Sequence, residues 1–141
     1  MIVNTAYIYM GNGGGGPVNP NLWQDGVSNY PVEFTDSLIT AEGLKFIARP
    51  GDATFSELPL TYFNRLTLTG RITSGPTRTS EISIEFYSRD NVLIGTTTAA
   101  FPKSEKSVAV DIPSSAKIQN AKIKIKKTDI SSLTFSSAVL S

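Results

Sequence analysis

Neither cysteine nor histidine occurs in this chain of 141 residues. Without cysteine there is no disulfide framework and no thiolate metal site. Without histidine the commonest general base and the commonest zinc ligand are gone, and with them every Ser–His and Cys–His nucleophile pair. A charge excess of either sign is also missing, since 13 Lys and Arg face 12 Asp and Glu for a net of +1. That balance exerts no bulk attraction on nucleic acid or anionic lipid, so neither nucleic acid nor membrane is an expected partner. No apolar run is long enough to cross a bilayer. The apolar start, Met1 to Met10, has no basic residue ahead of it and is too short for a secretory segment with its cleavage site. No signal peptide is therefore expected, and the chain reads as made in the cytoplasm.

Little remains that could perform chemistry. Ser104 stands between Lys103 and Lys106, the composition of a Ser–Lys pair. No strained turn or helix start accompanies it, and a polar loop is the simpler reading. The carboxylates are scattered, and Glu81 and Glu85 fall on an outward strand face. Cross-strand ion pairs are expected there rather than a glycosidase pair, with Arg65 and Arg71 as partners if their strands are neighbours. The Gly11–Gly16 run lacks the Lys-Ser/Thr of a phosphate loop, and Asp25-Gly26 and Asp90-Asn91 lack the spaced ligands of a calcium loop. Both Asp pairs read as turns. A calcium ion held by backbone carbonyls would leave no trace in a sequence. No catalytic residue, no metal ligand and no cofactor is expected; the chain reads as a protein that binds or assembles, not as an enzyme.

The chain divides into residues 1–31 and 32–141. Residues 2–10 are rich in Ile, Val, Thr and Tyr, a strand composition, and Gly11 to Pro17 is a flexible tether. Val18 to Pro31, with Asn19-Pro20-Asn21 and Asp25-Gly26, reads as an irregular connector. From Val32 onward apolar and polar residues alternate between breakers. Leu38 to Ala48 carries a strand pattern around a Glu42-Gly43 turn, and Arg49 to Asp52 is a turn. Leu66, Leu68 and Ile72 oppose Arg65, Thr67, Thr69 and Arg71; Ile82, Ile84 and Phe86 oppose Glu81, Ser83, Glu85 and Tyr87. Val92 to Ala100 returns, Val108, Val110 and Ile112 alternate again, Ile123 and Ile125 oppose Lys122, Lys124 and Lys126, and Leu133 to Leu140 closes the chain. No segment holds a 3.6-residue apolar period. Strands at this spacing bury their apolar faces only against a second sheet. The expected fold is all-β: an antiparallel β-sandwich, jelly-roll-like, with an extended glycine-rich N-terminal arm.

The aromatic candidates for ligand contact are Trp23, Tyr30, Tyr62 and Tyr87. Alternation turns Tyr87 outward, which favours it, whereas a loop tryptophan such as Trp23 more often plugs the end of a sandwich. Lys122, Lys124, Lys126 and Lys127 form the one basic patch. Lysines along a strand commonly keep a sheet edge from pairing with strangers, and an anion site is the second reading.

The features from Ser80 onward come in a familiar order. Glu81-Ile82-Ser83-Ile84-Glu85-Phe86-Tyr87 leads through Ser88-Arg89-Asp90-Asn91 to Val92-Leu93-Ile94-Gly95; then follow Val108 to Pro113, Ala121 to Ile125 and Leu133 to Val139. This half of the chain resembles the jelly-roll sandwiches of carbohydrate-binding modules and galactose-binding-like domains. The resemblance implies a glycan as ligand, held by exposed aromatics. The glycine-rich run followed by Asn19-Pro20-Asn21-Leu22-Trp23 is similar to small phage and prophage virion proteins. That second resemblance implies a structural part of a virion head, neck or tail, located in the particle. A β-prone strand on a tether, Ile2, Val3, Thr5, Tyr7, Ile8 and Tyr9, suits such a role. It can add to the sheet edge of another copy or another virion protein and so build a homo-oligomer. Folding back on its own sheet is the alternative. A carbohydrate-binding module acting in adhesion is the other functional reading.

Overall fold

The computed structural model describes residues 3–6 and 18–141. Among them the strands are β1 (Val3–Ala6), β2 (Trp23–Gln24), β3 (Val27–Ser28), β4 (Val32–Thr35), β5 (Ser37–Thr40), β6 (Gly43–Phe46) and β7 (Gly51–Leu58). There follow β8 (Arg65–Ser74), β9 (Thr79–Tyr87), β10 (Leu93–Pro102), β11 (Lys106–Asp111), β12 (Ala121–Lys127) and β13 (Ser132–Leu140). Two single-turn helices, Leu60–Tyr62 and Ser114–Ala116, bridge strands, and no described helix is long and apolar enough to cross a membrane.

Two antiparallel sheets face each other. The first has six strands in the order β1-β4-β7-β12-β9-β10, and the second five in the order β11-β8-β13-β6-β5. The alternation read from the sequence sets which side chains lie between them. Ile82, Ile84 and Phe86 of β9 and Ile123 and Ile125 of β12 are buried from one side, Leu66, Leu68 and Ile72 of β8 from the other. Phe135 of β13 is the central knob. Its ring meets Phe46 and Phe101 edge-on, with centroids 5.9 and 5.0 Å away. Full burial of one such phenylalanine contributes roughly 1.5–3 kcal/mol.

Four features differ from the sequence reading. The strand β7, in the middle of the first sheet, was not evident, because only Ala53, Phe55 and Leu58 carry its buried face. Residues 18–31 are not an irregular connector. Leu22 and Trp23 are core residues, Asp25 (φ 53°) and Gly26 (φ 81°) turn the β2–β3 hairpin, and Asn21 bridges Val139. The lysine-rich β12 is not an edge: it lies between β7 and β9, so its lysines guard no open edge. Arg65 and Arg71 lie on the other sheet from Glu81 and Glu85, and Arg65 pairs instead with Asp111 at 3.2 Å.

β1 pairs antiparallel with β4 of the same chain, Val3 opposite Thr35 and Ala6 opposite Val32. Of the arm residues singled out from the sequence, Val3 and Thr5 lie in this strand; Ile2, Tyr7, Ile8 and Tyr9 fall outside the described residues.

Candidate functional site

The outer face of the six-stranded sheet is polar by the same alternation that makes its inner face apolar. Glu33, Thr54, Lys124, Glu85 and Thr96 follow one another across β4, β7, β12, β9 and β10, each opposite the next in register. Toward the end where the β9–β10 hairpin turns, this face sinks into a groove of about 310 Å³. Glu33, Thr54, Ser56, Tyr87, Asn91, Lys122 and Lys124 line it.

Backbone irregularity explains why the groove lies there. On β7, Leu58 pairs with Ala121 and Phe55 with Ile123, so Ser56 and Glu57 together oppose the single residue Lys122. Glu57 takes the extra step with φ 55°, a left-handed conformation that an ordinary side chain rarely adopts. On β10, Leu93 pairs with Tyr87 and Gly95 with Phe86, leaving Ile94 unpaired. Two β-bulges thus flank the Lys122–Tyr87 pair, one strand away on either side. A bulge bends its strand and sharpens the local twist, and bulges commonly border binding sites.

Tyr87, Lys122, Lys124 and Asn91 are each oriented by a neighbour. The Tyr87 hydroxyl donates to Glu85 Oε1 at 2.5 Å. That bond, with smaller help from burial and the Glu85 charge, holds the phenol proton up to about 12. Tyr87 therefore remains a neutral donor throughout the physiological range. The Lys124 ammonium lies 5.6 Å from the centre of the Tyr87 ring, a cation–π distance. Lys122 Nζ donates to Asn91 Oδ1 at 2.6 Å. Asn91 sits at φ 65° in the hairpin turn, a conformation asparagine tolerates, and Ser88 Oγ accepts from the backbone N–H of Asp90 and Val92 to fix that turn. One row away, burial lifts the Asp52 carboxyl above its ordinary range against the pull of Lys124 and Lys126.

Of the four aromatic candidates the groove takes in Tyr87 alone. Trp23 is 5% exposed, stacks on Phe55 at 5.8 Å and donates its indole N–H to the Ser136 carbonyl at 3.3 Å. It plugs the sandwich and presents no face to a ligand. Tyr30 is half-buried and its hydroxyl donates to the Asn19 carbonyl at 2.5 Å; burial raises its pKa. Tyr62 is 62% exposed on the Leu60–Tyr62 turn but does not line the groove. The sequence reading missed Glu33, Thr54, Ser56 and Asn91, and took Lys122 and Lys124 first as edge protection, with an anion site as the second reading. No group of three or more Asp and Glu among the described residues is placed to hold a metal ion.

A second polar cluster lies at the opposite end of the sandwich. Lys127 is fully buried, and its ammonium donates to the carbonyls of Arg49 (2.9 Å) and Asp129 (2.6 Å), with Asp129 Oδ1 at 3.6 Å. The Asp129 carboxylate also accepts from Ser80 Oγ and the Ser131 backbone N–H. Every partner of Lys127 is internal, so this cluster holds loops together and offers a ligand nothing.

No protein-family model matches the sequence, and a search of curated proteins finds no match. Solved structures do match. The arabinose-bound α-L-arabinofuranosidase MgGH51 matches over 96% of this chain with a TM-score of 0.53 at 8% identity, and the chain spans 29% of that enzyme's length. A family 11 carbohydrate-binding module from Clostridium thermocellum, in complex with a β-1,3-1,4-mixed-linked tetrasaccharide, matches over 99% of this chain and 82% of its own (TM-score 0.47, 9% identity). The enzymatically active domain of tailspike protein 4 from bacteriophage CBA120 matches over 99% of this chain and 17% of its own (TM-score 0.41, 11% identity). At 8% identity the likeness to the arabinofuranosidase is one of fold alone.

Proposed function

We propose that the chain is a non-catalytic carbohydrate-binding module acting in adhesion or receptor binding, and that the groove on the outer face of the six-stranded sheet holds the glycan. The observation that carries this reading is the groove itself. It is a concave polar strip with one aromatic ring, Tyr87, in its floor, framed by hydroxyl, amide, ammonium and carboxylate groups. A sugar ring presents an apolar C–H face and a rim of hydroxyls. An aromatic ring takes the first, and groups such as Thr54, Ser56, Asn91 and Glu33 match the second. Affinities on the order of micromolar to millimolar are expected for so shallow a site. Tyr87→Ala should weaken binding about tenfold in a calorimetric titration and leave the melting temperature nearly unchanged, because Tyr87 faces away from the core. A glycan array blank for the folded protein would remove the reading.

A second reading rests on a different observation. β1 lies at the rim of the sheet, joined to β4 by backbone pairing. That pairing within one chain is the fold-back arrangement, and exchange of β1 between copies would make the same backbone bonds. On this reading the protein is a structural component of a phage or prophage virion that associates through its N-terminal arm. Light scattering on the full chain and on a form lacking residues 1–16 separates the cases: a mass that falls on deletion supports assembly, and the same monomer mass for both counts against it.

A further inference from the structure

Resting on the glycan-binding reading, we infer that the groove selects an acidic saccharide, and that Lys122 and Lys124 are the residues that read its carboxylate.

Several other cations of the sandwich have a counter-ion. Lys45 pairs with Glu42, Arg65 with Asp111 and Lys127 with Asp129. Lys122 and Lys124 are half-buried in the groove, yet neither forms an ion pair with a described residue. Their alternation on β12 puts both ammonium stems on one face, two residues and roughly 7 Å apart along the strand. Glu85 stands opposite Lys124 in register but turns its carboxylate to the Tyr87 hydroxyl, and Asp52, one row away, is felt by Lys124 only through space, with no ion pair between them. Asn91 supplies Lys122 with a neutral acceptor only, which leaves two ammonium protons to donate. Lys124 has a ring face and, among the described residues, no acceptor.

Two partly desolvated cations without an ion pair among the described residues are only partly balanced, and a ligand anion redresses this. The groove lining carries these two positive groups against one carboxylate, Glu33, two strands away on β4. A pyranose stacked on Tyr87 with its carboxylate toward β12 would meet both ammonium groups. Hydrogen bonds to a charged group are stronger than those a neutral hydroxyl makes, so the acidic sugar gains over its neutral counterpart.

The experiment is a titration of the full chain with a panel of oligomers of galacturonate, glucuronate and mannuronate, each beside its methyl ester and its neutral hexose homologue. Lys122→Met, Lys124→Met and the double variant are titrated in parallel, with circular dichroism as the check on folding. At least one acid form should bind about tenfold more tightly than its ester. That preference should fade as salt rises from about 0.05 M to about 0.5 M, and in the double variant the ratio of acid to ester affinity should fall to about one. Neutral oligomers bound as well as the acids, or a preference that survives in the double variant, would overturn the inference and leave the glycan reading standing. No binding of any member by the folded protein would overturn both.

Discussion

Trp23→Ala is expected to lower the melting temperature by about 10–15 °C and to leave the glycan affinity of the protein that remains folded unchanged. The indole is buried at the end of the sandwich, flat against Phe55, with its N–H on the Ser136 carbonyl. Truncation removes one of the largest buried side chains, opens a cavity beside Phe55 and strips a donor from Ser136. Large-to-small changes of this kind cost about 3–5 kcal/mol. Trp23→Phe, which keeps the stack and loses the hydrogen bond, should cost about 1–2 kcal/mol. Thermal melts and calorimetric titrations of the two variants test the assignment together. If Trp23→Ala abolished binding with its melting point intact, Trp23 would be a ligand contact after all and the packing argument would fall.

Lys127→Ala should be equally damaging, at about 3–5 kcal/mol, and Lys127→Met about half as much, measured by denaturant unfolding. The alanine variant loses both the packed stem and the ammonium. The methionine variant keeps the volume and leaves the carbonyls of Arg49 and Asp129 without their donor. The pH dependence carries a further signature. Burial lowers the Lys127 pKa, against the opposing pull of Asp129. Between that lowered value and the ordinary lysine value of about 10.4, the unfolded chain binds more protons than the folded one, so stability contributed by this group rises with pH across the interval. The wild type should therefore gain on Lys127→Met as the medium is made alkaline toward pH ~10. Equal stability of wild type and Lys127→Met at neutral pH would show that the bonds to the two loops add nothing.

Local alternation reveals most of the sandwich and little of the groove. β8, β9 and β12 are evident because apolar residues recur at every second position and polar ones fill the gaps, and their apolar buried sets are those expected, whereas Lys127, read as part of the basic patch, is buried with them. β7 is obscure because Gly51, Ala53 and three polar outward residues give a weak period. Tyr87 is legible as an outward aromatic. Its companions are not, because β4, β7, β12 and β9 come together from positions up to 91 residues apart, as with Glu33 and Lys124. The bulges that shape the floor carry no strong sequence mark: a glutamate, not a glycine, occupies the left-handed step at position 57. Lys127 had a sign that could have been read. It falls on the same parity as Ile123 and Ile125, and an aspartate follows two residues later. A cation on the buried parity with an acid close by points to an internal ion pair rather than to a solvated stripe.

The two bulges have a consequence for how such a protein diversifies. The hollow is cut by the path of the main chain, whereas its lining comes from side chains that stand on the far side of the sheet from the hydrophobic interior. Exchanging Thr54, Ser56 or Lys124 therefore rewrites what is recognised at little expense to folding, on the order of half a kcal/mol. Shape and selectivity are inherited separately, and close relatives can share one contour while discriminating between different sugars.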